Sequence, residues 1–192
     1  MEKLEVSQAL NTIEQAIQEA RKVPSGNYFY DILWGSILSI YYIVNYISIS
    51  FPGSIVSSFD NFFWIVFPLG GIISALRSKQ DDKSETAKSL IDKVYLFAYS
   101  GFALAYITIY LASEFYGLCQ IVIPVFCSLL GLTVFVTGGI VKETLSIIVG
   151  ILAMLIGAYI LKLNEAEQCL YASFVCVVTC IMPGIKMKFS RV

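Results

Sequence analysis

Long stretches without a central charge alternate with short polar connections along most of this chain, the apolar ones covering about 28–50, 59–76, 94–113, 120–141, 145–161 and 169–185. Each is close to the ~17–25 residues with which a helix crosses the hydrocarbon of a bilayer. In lipid only helices and closed barrels satisfy every backbone group, and a barrel would read as alternating segments of about ten residues. The runs here are continuous. They predict an all-α polytopic membrane protein with six transmembrane helices, arranged as three helical hairpins within residues 27–192.

The pattern ahead of the first run is different. Residues 3–22 place Val6, Leu10, Ile13, Ile17 and Ala20 on one helical face at spacings of three and four, which predicts an amphipathic helix over 1–26. Arg21 and Lys22 suit its last turn, and Pro24, Ser25 and Gly26 end it. Glu2, Glu5, Glu14 and Glu19 interrupt any signal-like apolar core, so the first span is expected to stay in the mature chain as an uncleaved anchor. A helix lying on anionic lipid is usually rich in Lys and Arg, whereas residues 1–23 hold four acids and three bases. That balance favours docking on protein. The helix ends of the same bundle, a second copy of the chain and a soluble cytoplasmic partner all remain open, with Val6, Leu10, Ile13 and Ile17 as the contact residues.

Composition agrees with a membrane setting. Hydrophobic residues make up 57% of the 192 and charged residues 14%, against roughly a quarter charged in soluble domains. Charge then sets the orientation, because Lys and Arg near span ends stay cytoplasmic. With the N-terminus inside, twelve of the thirteen Lys and Arg residues fall on the inner side and only Lys162 outside. Five of them lie in the stretch RSKQDDKSETAKSLIDK, residues 77–93. Its four acids leave a net charge of about +1 from five bases, too little for a nucleic-acid surface. The stretch reads as the main cytoplasmic loop, continuing into a solvated start of the third helix. Both termini are expected in the cytoplasm of a bacterial inner (plasma) membrane, with the bilayer as the constant partner and no nucleic acid.

The sequence argues against most catalysis. There is no histidine, which removes the usual Ser-His and Cys-His pairs and the HExxH zinc helix. GxSxG and P-loop motifs are absent, and no ionisable residue falls in the middle of a run, as a proton relay would need. No enzyme activity, cofactor or metal site is expected. Asp31, Asp60, Asp92, Glu143, Glu165 and Glu167 each stand near the start of a span, where a carboxylate meets free backbone N–H groups. Glu114 instead stands at the outer end of the third span.

Two groups of polar side chains inside the runs carry candidate chemistry. Tyr41, Asn45 and Ser48 share a face of the first span beside Tyr42 and Tyr46, and Tyr99, Tyr106 and Tyr110 share one of the third. Facing each other, they would line an aromatic, weakly polar cavity for a neutral or amphipathic molecule. Tyr41, Tyr42, Asn45, Tyr106, Tyr110 and Glu114 are therefore the ligand-binding candidates. Alternatively Asn45 bonds across a helix interface and the tyrosines belong to the headgroup belt. Among the five cysteines, Cys119 and Cys169 open the fourth and sixth spans on the outer side, where a disulfide is permitted. Cys127 and Cys176 follow them on the same faces, so the two helices are expected to pack along that seam. Glycines also recur near the inner helix ends, at 35, 101 and 150 and at 71, 139 and 184, as three like hairpins would require.

Several short features together carry a family resemblance. They are the acidic amphipathic N-terminal helix, the aromatic entry Phe29, Trp34, Gly35, the group Pro68, Gly70, Gly71, the Lys-rich loop ending in Asp92 and Lys93, and the late Pro183 and Gly184. In these the chain resembles a group of small six-span bacterial membrane proteins of the Bacteroidetes type. That resemblance implies a winged-helix regulator encoded nearby and a regulatory or stress-responsive role, and it carries over no site residues. The leading expectation is a non-enzymatic membrane sensor or accessory protein with a cytoplasmic interaction face. A small transporter or receptor, and an immunity protein against a membrane-directed toxin, are the alternatives.

Overall fold

The computed structural model describes residues 27–53, 63–84 and 90–189, and these are helical almost throughout, without a strand. The helix expected over 3–22, with Val6, Leu10, Ile13 and Ile17, lies outside them. The elements are α1 (Asn27–Ser50), α2 (Phe63–Ser84), α3 (Leu90–Tyr116), a 3-10 turn (Cys119–Ile121), α4 (Val122–Val141), α5 (Thr144–Ile160) and α6 (Glu165–Cys176), which passes through a π-helical turn (Val177–Ile181) into α7 (Met182–Phe189). Among the described residues four helical stretches are long and apolar enough to cross a membrane: Phe29–Ser50, Tyr95–Tyr116, Cys119–Val141 and Glu165–Lys186. The apolar parts of α2 (Ile65–Arg77) and α5 (Thr144–Ile160) are shorter.

These helices do not pack as three like hairpins. The most extensive interface joins α4 to α5, and the next joins α1 to α6 and its continuation through the π turn and α7. α3 lies mainly on α4, and α2 lies on α1. Small residues decide this arrangement, because backbones come close only where a Cβ is missing. A Cβ on Gly131 would stand 2.7 Å from the Gly150 carbonyl oxygen, and one on Gly150 would stand 2.6 Å from the Phe135 nitrogen. Gly138 faces Ser146 in the same way, and Gly157 faces Ser128 and the Pro124 carbonyl. In contrast Gly71, Gly101 and Gly139, half of the repeat read from the sequence, face open space. The α4–α5 interface therefore uses a register of glycines that the hairpin pattern does not contain.

α4 ends in a tight reversal. Lys142 adopts the left-handed conformation (φ 60°, ψ 34°), its N–H turned back to the carbonyls of Gly138 and Gly139, while the Glu143 N–H donates to the Gly138 carbonyl at 2.8 Å. This closes the last turn of the helix in the manner of a Schellman cap, a position where glycine carries no steric penalty. Lys142→Gly is therefore expected to stabilise the fold by about 0.5–1 kcal/mol, read as a higher unfolding midpoint in detergent. An unchanged or lower midpoint would contradict it.

α1 runs between α2 and α6. Toward α2, Trp34 stacks on Phe67 with ring centroids 6.5 Å apart, its Nε1 donates to Ser74 Oγ at 3.1 Å, and Gly70 admits the Trp34 and Ile37 side chains. The Arg77 guanidinium lies 5.7 Å from the Phe29 ring centroid. Toward α6, the Ser39 and Ser173 hydroxyls share a buried hydrogen bond of 2.9 Å. Gly35 sits against the π turn, where a Cβ would come 2.6 Å from Cys180 Cβ.

The cysteines follow the expected seam but form no bridge. All five are free thiols: Cys119 is exposed, whereas Cys127, Cys169, Cys176 and Cys180 are buried. The disulfide considered between Cys119 and Cys169 is thus absent. Cys127 and Cys176 are fully enclosed where α4 meets α6, filling space as small apolar groups do.

Candidate functional site

The aromatic residues singled out in the sequence are only partly brought together. Tyr42 is buried, with its ring 5.2 Å from that of Phe126 on α4. Tyr106 reaches the same ring from α3, also at 5.2 Å, and the Tyr42 and Tyr106 hydroxyls are hydrogen-bonded to each other. Phe102 completes the group, edge-on to Phe126 at 5.7 Å and stacked on Tyr106 at 6.3 Å. Tyr41 turns the other way, edge-on to Phe67 of α2 at 5.5 Å. The α1 and α3 backbones make little direct contact, so this aromatic layer around Phe126 fills the space between them.

The remaining candidates stand apart from it. Asn45 Nδ2 donates to the Tyr41 carbonyl one turn back at 3.0 Å, a bond within its own helix rather than across an interface. Tyr110 and Glu114 pair with each other on the exposed last turns of α3. The six ligand-binding candidates thus divide into a packed layer (Tyr42, Tyr106), a ring turned to α2 (Tyr41), an intrahelical bond (Asn45) and a surface pair (Tyr110, Glu114).

A second polar group lies at the other end of the bundle. Tyr99 of α3 does not continue the Tyr106 stripe but donates from its hydroxyl to Asp31 Oδ1 of α1 at 3.2 Å, and Tyr95 stacks beside it at 6.0 Å. The charge of Glu143, in the α4–α5 reversal, reaches Asp31. Glu143 does not cap α5 through its backbone N–H groups. Its Oε1 pairs with Lys186 Nζ of α7 at 3.2 Å and its Oε2 accepts from Ser146 Oγ at 2.7 Å. Four separate parts of the chain meet here: α1, α3, the α4–α5 reversal and α7. Lys186 is 53% exposed while Glu143 is largely covered, so this ion pair keeps contact with water and ranks with surface pairs in strength.

Sequence reasoning placed Asp31 and Glu143 as helix-start carboxylates and did not join them, since helical periodicity says nothing about which helices are neighbours. It also passed over Asn164, whose side chain caps α6 by accepting from the Glu167 N–H at 2.9 Å. Gln168 was missed as well. It is buried, and its Nε2 donates to the Ile160 and Leu163 carbonyls at 3.1 Å each, tying the α5–α6 connection, while Oε1 has no partner among the described residues. Among the described residues no group of three or more Cys, Asp or Glu is arranged to hold a metal ion.

No protein-family model, curated protein or solved structure matches this chain.

Proposed function

We propose that this is a six-span bacterial inner-membrane protein with both termini in the cytoplasm, acting as a non-enzymatic sensor or accessory protein. Its cytoplasmic face, made by residues 3–22, the charged 77–93 stretch that runs from the end of α2 to the start of α3, and the polar end around Asp31, Glu143 and Lys186, is read by a soluble partner. The winged-helix regulator implied by the family resemblance is a partner of that kind. One observation carries this reading ahead of a transporter or receptor. Tyr42 and Tyr106, which would have lined a cavity between the first and third spans, satisfy each other and close on Phe126, so their polar groups are not turned to a ligand. An interlocked layer suits a rigid scaffold whose signal is carried at the membrane surface. The helix lengths add support, since four stretches already reach spanning length and twelve of thirteen basic residues fall on one side in the six-span topology.

The test is native mass spectrometry of the intact protein and of a version lacking residues 2–22, both released from native membranes in mild detergent. The expected result is a soluble protein bound to the intact form and lost from the truncated one. A small molecule retained on both forms, with no protein on either, would overturn this reading in favour of a transporter or receptor.

A further inference from the structure

The last helix is not uniform. Between α6 and α7 the chain makes a wide turn, Val177–Ile181, in which the Met182 N–H bonds to the Val177 carbonyl five residues back. Pro183 follows directly. It has no N–H to give the Thr179 carbonyl, the acceptor four residues earlier, and in a regular helix its ring would press on that carbonyl. The Thr179 hydroxyl donates in turn to the Val175 carbonyl at 2.7 Å. Downstream of this turn stands Lys186, which holds Glu143 at 3.2 Å. Upstream, α1 is seated on the turn itself through Gly35.

A π turn holds one residue more than an α turn. It is uncommon and is frequently found at functional sites. Reverting it to α geometry would rotate everything after it by about 100° and shift it by about 1.5 Å along the axis. Lys186 would then be carried away from Glu143. The π turn and the ion pair are therefore two readings of one variable, the rotation of α7.

We propose that Val177–Ile181 is a register switch, held in its π form jointly by Pro183 and the Glu143–Lys186 pair, with a second register in which the turn is α-helical and Lys186 is released from Glu143. In the second register Glu143 loses its cation and the polar end of the bundle changes its surface. This inference does not depend on a partner docking there, since it concerns the helix alone. Coupling between the turn and the pair is reciprocal: whatever binds Lys186 or Glu143 shifts the register, and whatever shifts the register exposes them.

The experiment measures distances between spin labels on the full-length protein in lipid nanodiscs. Ile148→Cys on α5 and Ile185→Cys on α7, both exposed, carry the labels in a Cys119→Ser background, with Ile148→Cys and Leu96→Cys as a reference pair that does not involve α7. The wild type is expected to show one distance for the 148–185 pair. Pro183→Ala combined with Glu143→Gln is expected to add a second population displaced by several ångström, the sweep that a rotation of about 100° gives a surface side chain. Each single variant is expected to show a smaller share of it. If the double variant keeps the wild-type distribution, the switch does not exist. Movement of the 148–96 reference pair as well would also overturn it, because the change would then belong to the whole bundle.

Discussion

Gly150→Leu is expected to prevent recovery of a monodisperse folded protein, whereas Gly139→Leu, on the neighbouring α4, is expected to leave recovery unchanged and to raise the unfolding midpoint slightly. The two positions differ in what a side chain would meet. At Gly150 even a single Cβ would stand 2.6 Å from the Phe135 nitrogen and 2.8 Å from the Gly131 carbonyl oxygen, whereas at Gly139 there is nothing within 4 Å. Backbone atoms cannot swing aside as a side chain can, so relief requires α4 and α5 to separate. Overpacking commonly costs about 1–3 kcal/mol, and separating the closest helix pair forfeits the dispersion contacts that take the place of the hydrophobic effect between helices in lipid. Alanine gives a graded version. Gly139→Ala gains about 1 kcal/mol of helix propensity with no clash, while Gly150→Ala gains the same and loses more. Midpoints measured by intrinsic fluorescence in one detergent should therefore move in opposite directions, and a shift in the same direction for both would refute the close approach of α4 and α5.

Phe126→Ala is expected to lower stability by about 3–5 kcal/mol, the range for removing a fully enclosed aromatic ring. Phe126 is 1% exposed, and three other rings, Phe102, Tyr106 and Tyr42, rest on it. Its removal would leave α1 and α3 facing each other across a gap, since their backbones make little contact of their own. Phe126→Leu should cost much less, because it restores most of the volume. Urea or detergent-denaturation curves on both variants separate the outcomes. Equal losses for Ala and Leu would mean that ring stacking, rather than volume, holds the layer.

The sequence made some of this architecture legible. Uncharged runs marked the helices because lipid tolerates few charges, so α1, α4 and α5 begin and end within a few residues of the expected spans. The helical period also placed Cys127 and Cys176 correctly on facing sides of a seam. What it could not supply was the order of neighbours. Gly138 and Gly139 are adjacent in the chain, yet one lies in the tightest interface and the other faces outward, and only the partner helix decides which. The same ignorance hid the polar end: Asp31 and Glu143 stand more than a hundred residues apart, and no local pattern joins them. Tyr99 illustrates the opposite error. It shares a stripe with Tyr106 and Tyr110, but a hydrogen bond to Asp31 takes it to a different cluster.

The pairing of α1 with the α6–α7 segment bears on how the protein is made. Domains and segments assemble as they leave the ribosome, N-terminal parts first. α4 and α5 are consecutive and can close on each other as soon as both are inserted. α1 is synthesised before either but cannot bury Gly35 and Ser39 until Cys180 and Ser173 have been made. While α2 to α5 are made, α1 is therefore still waiting for this neighbour. Chains that stop short of residue 165 would keep the α4–α5 unit and lack the surface that retains α1, which makes addition of the α6–α7 segment the step that locks α1 in place.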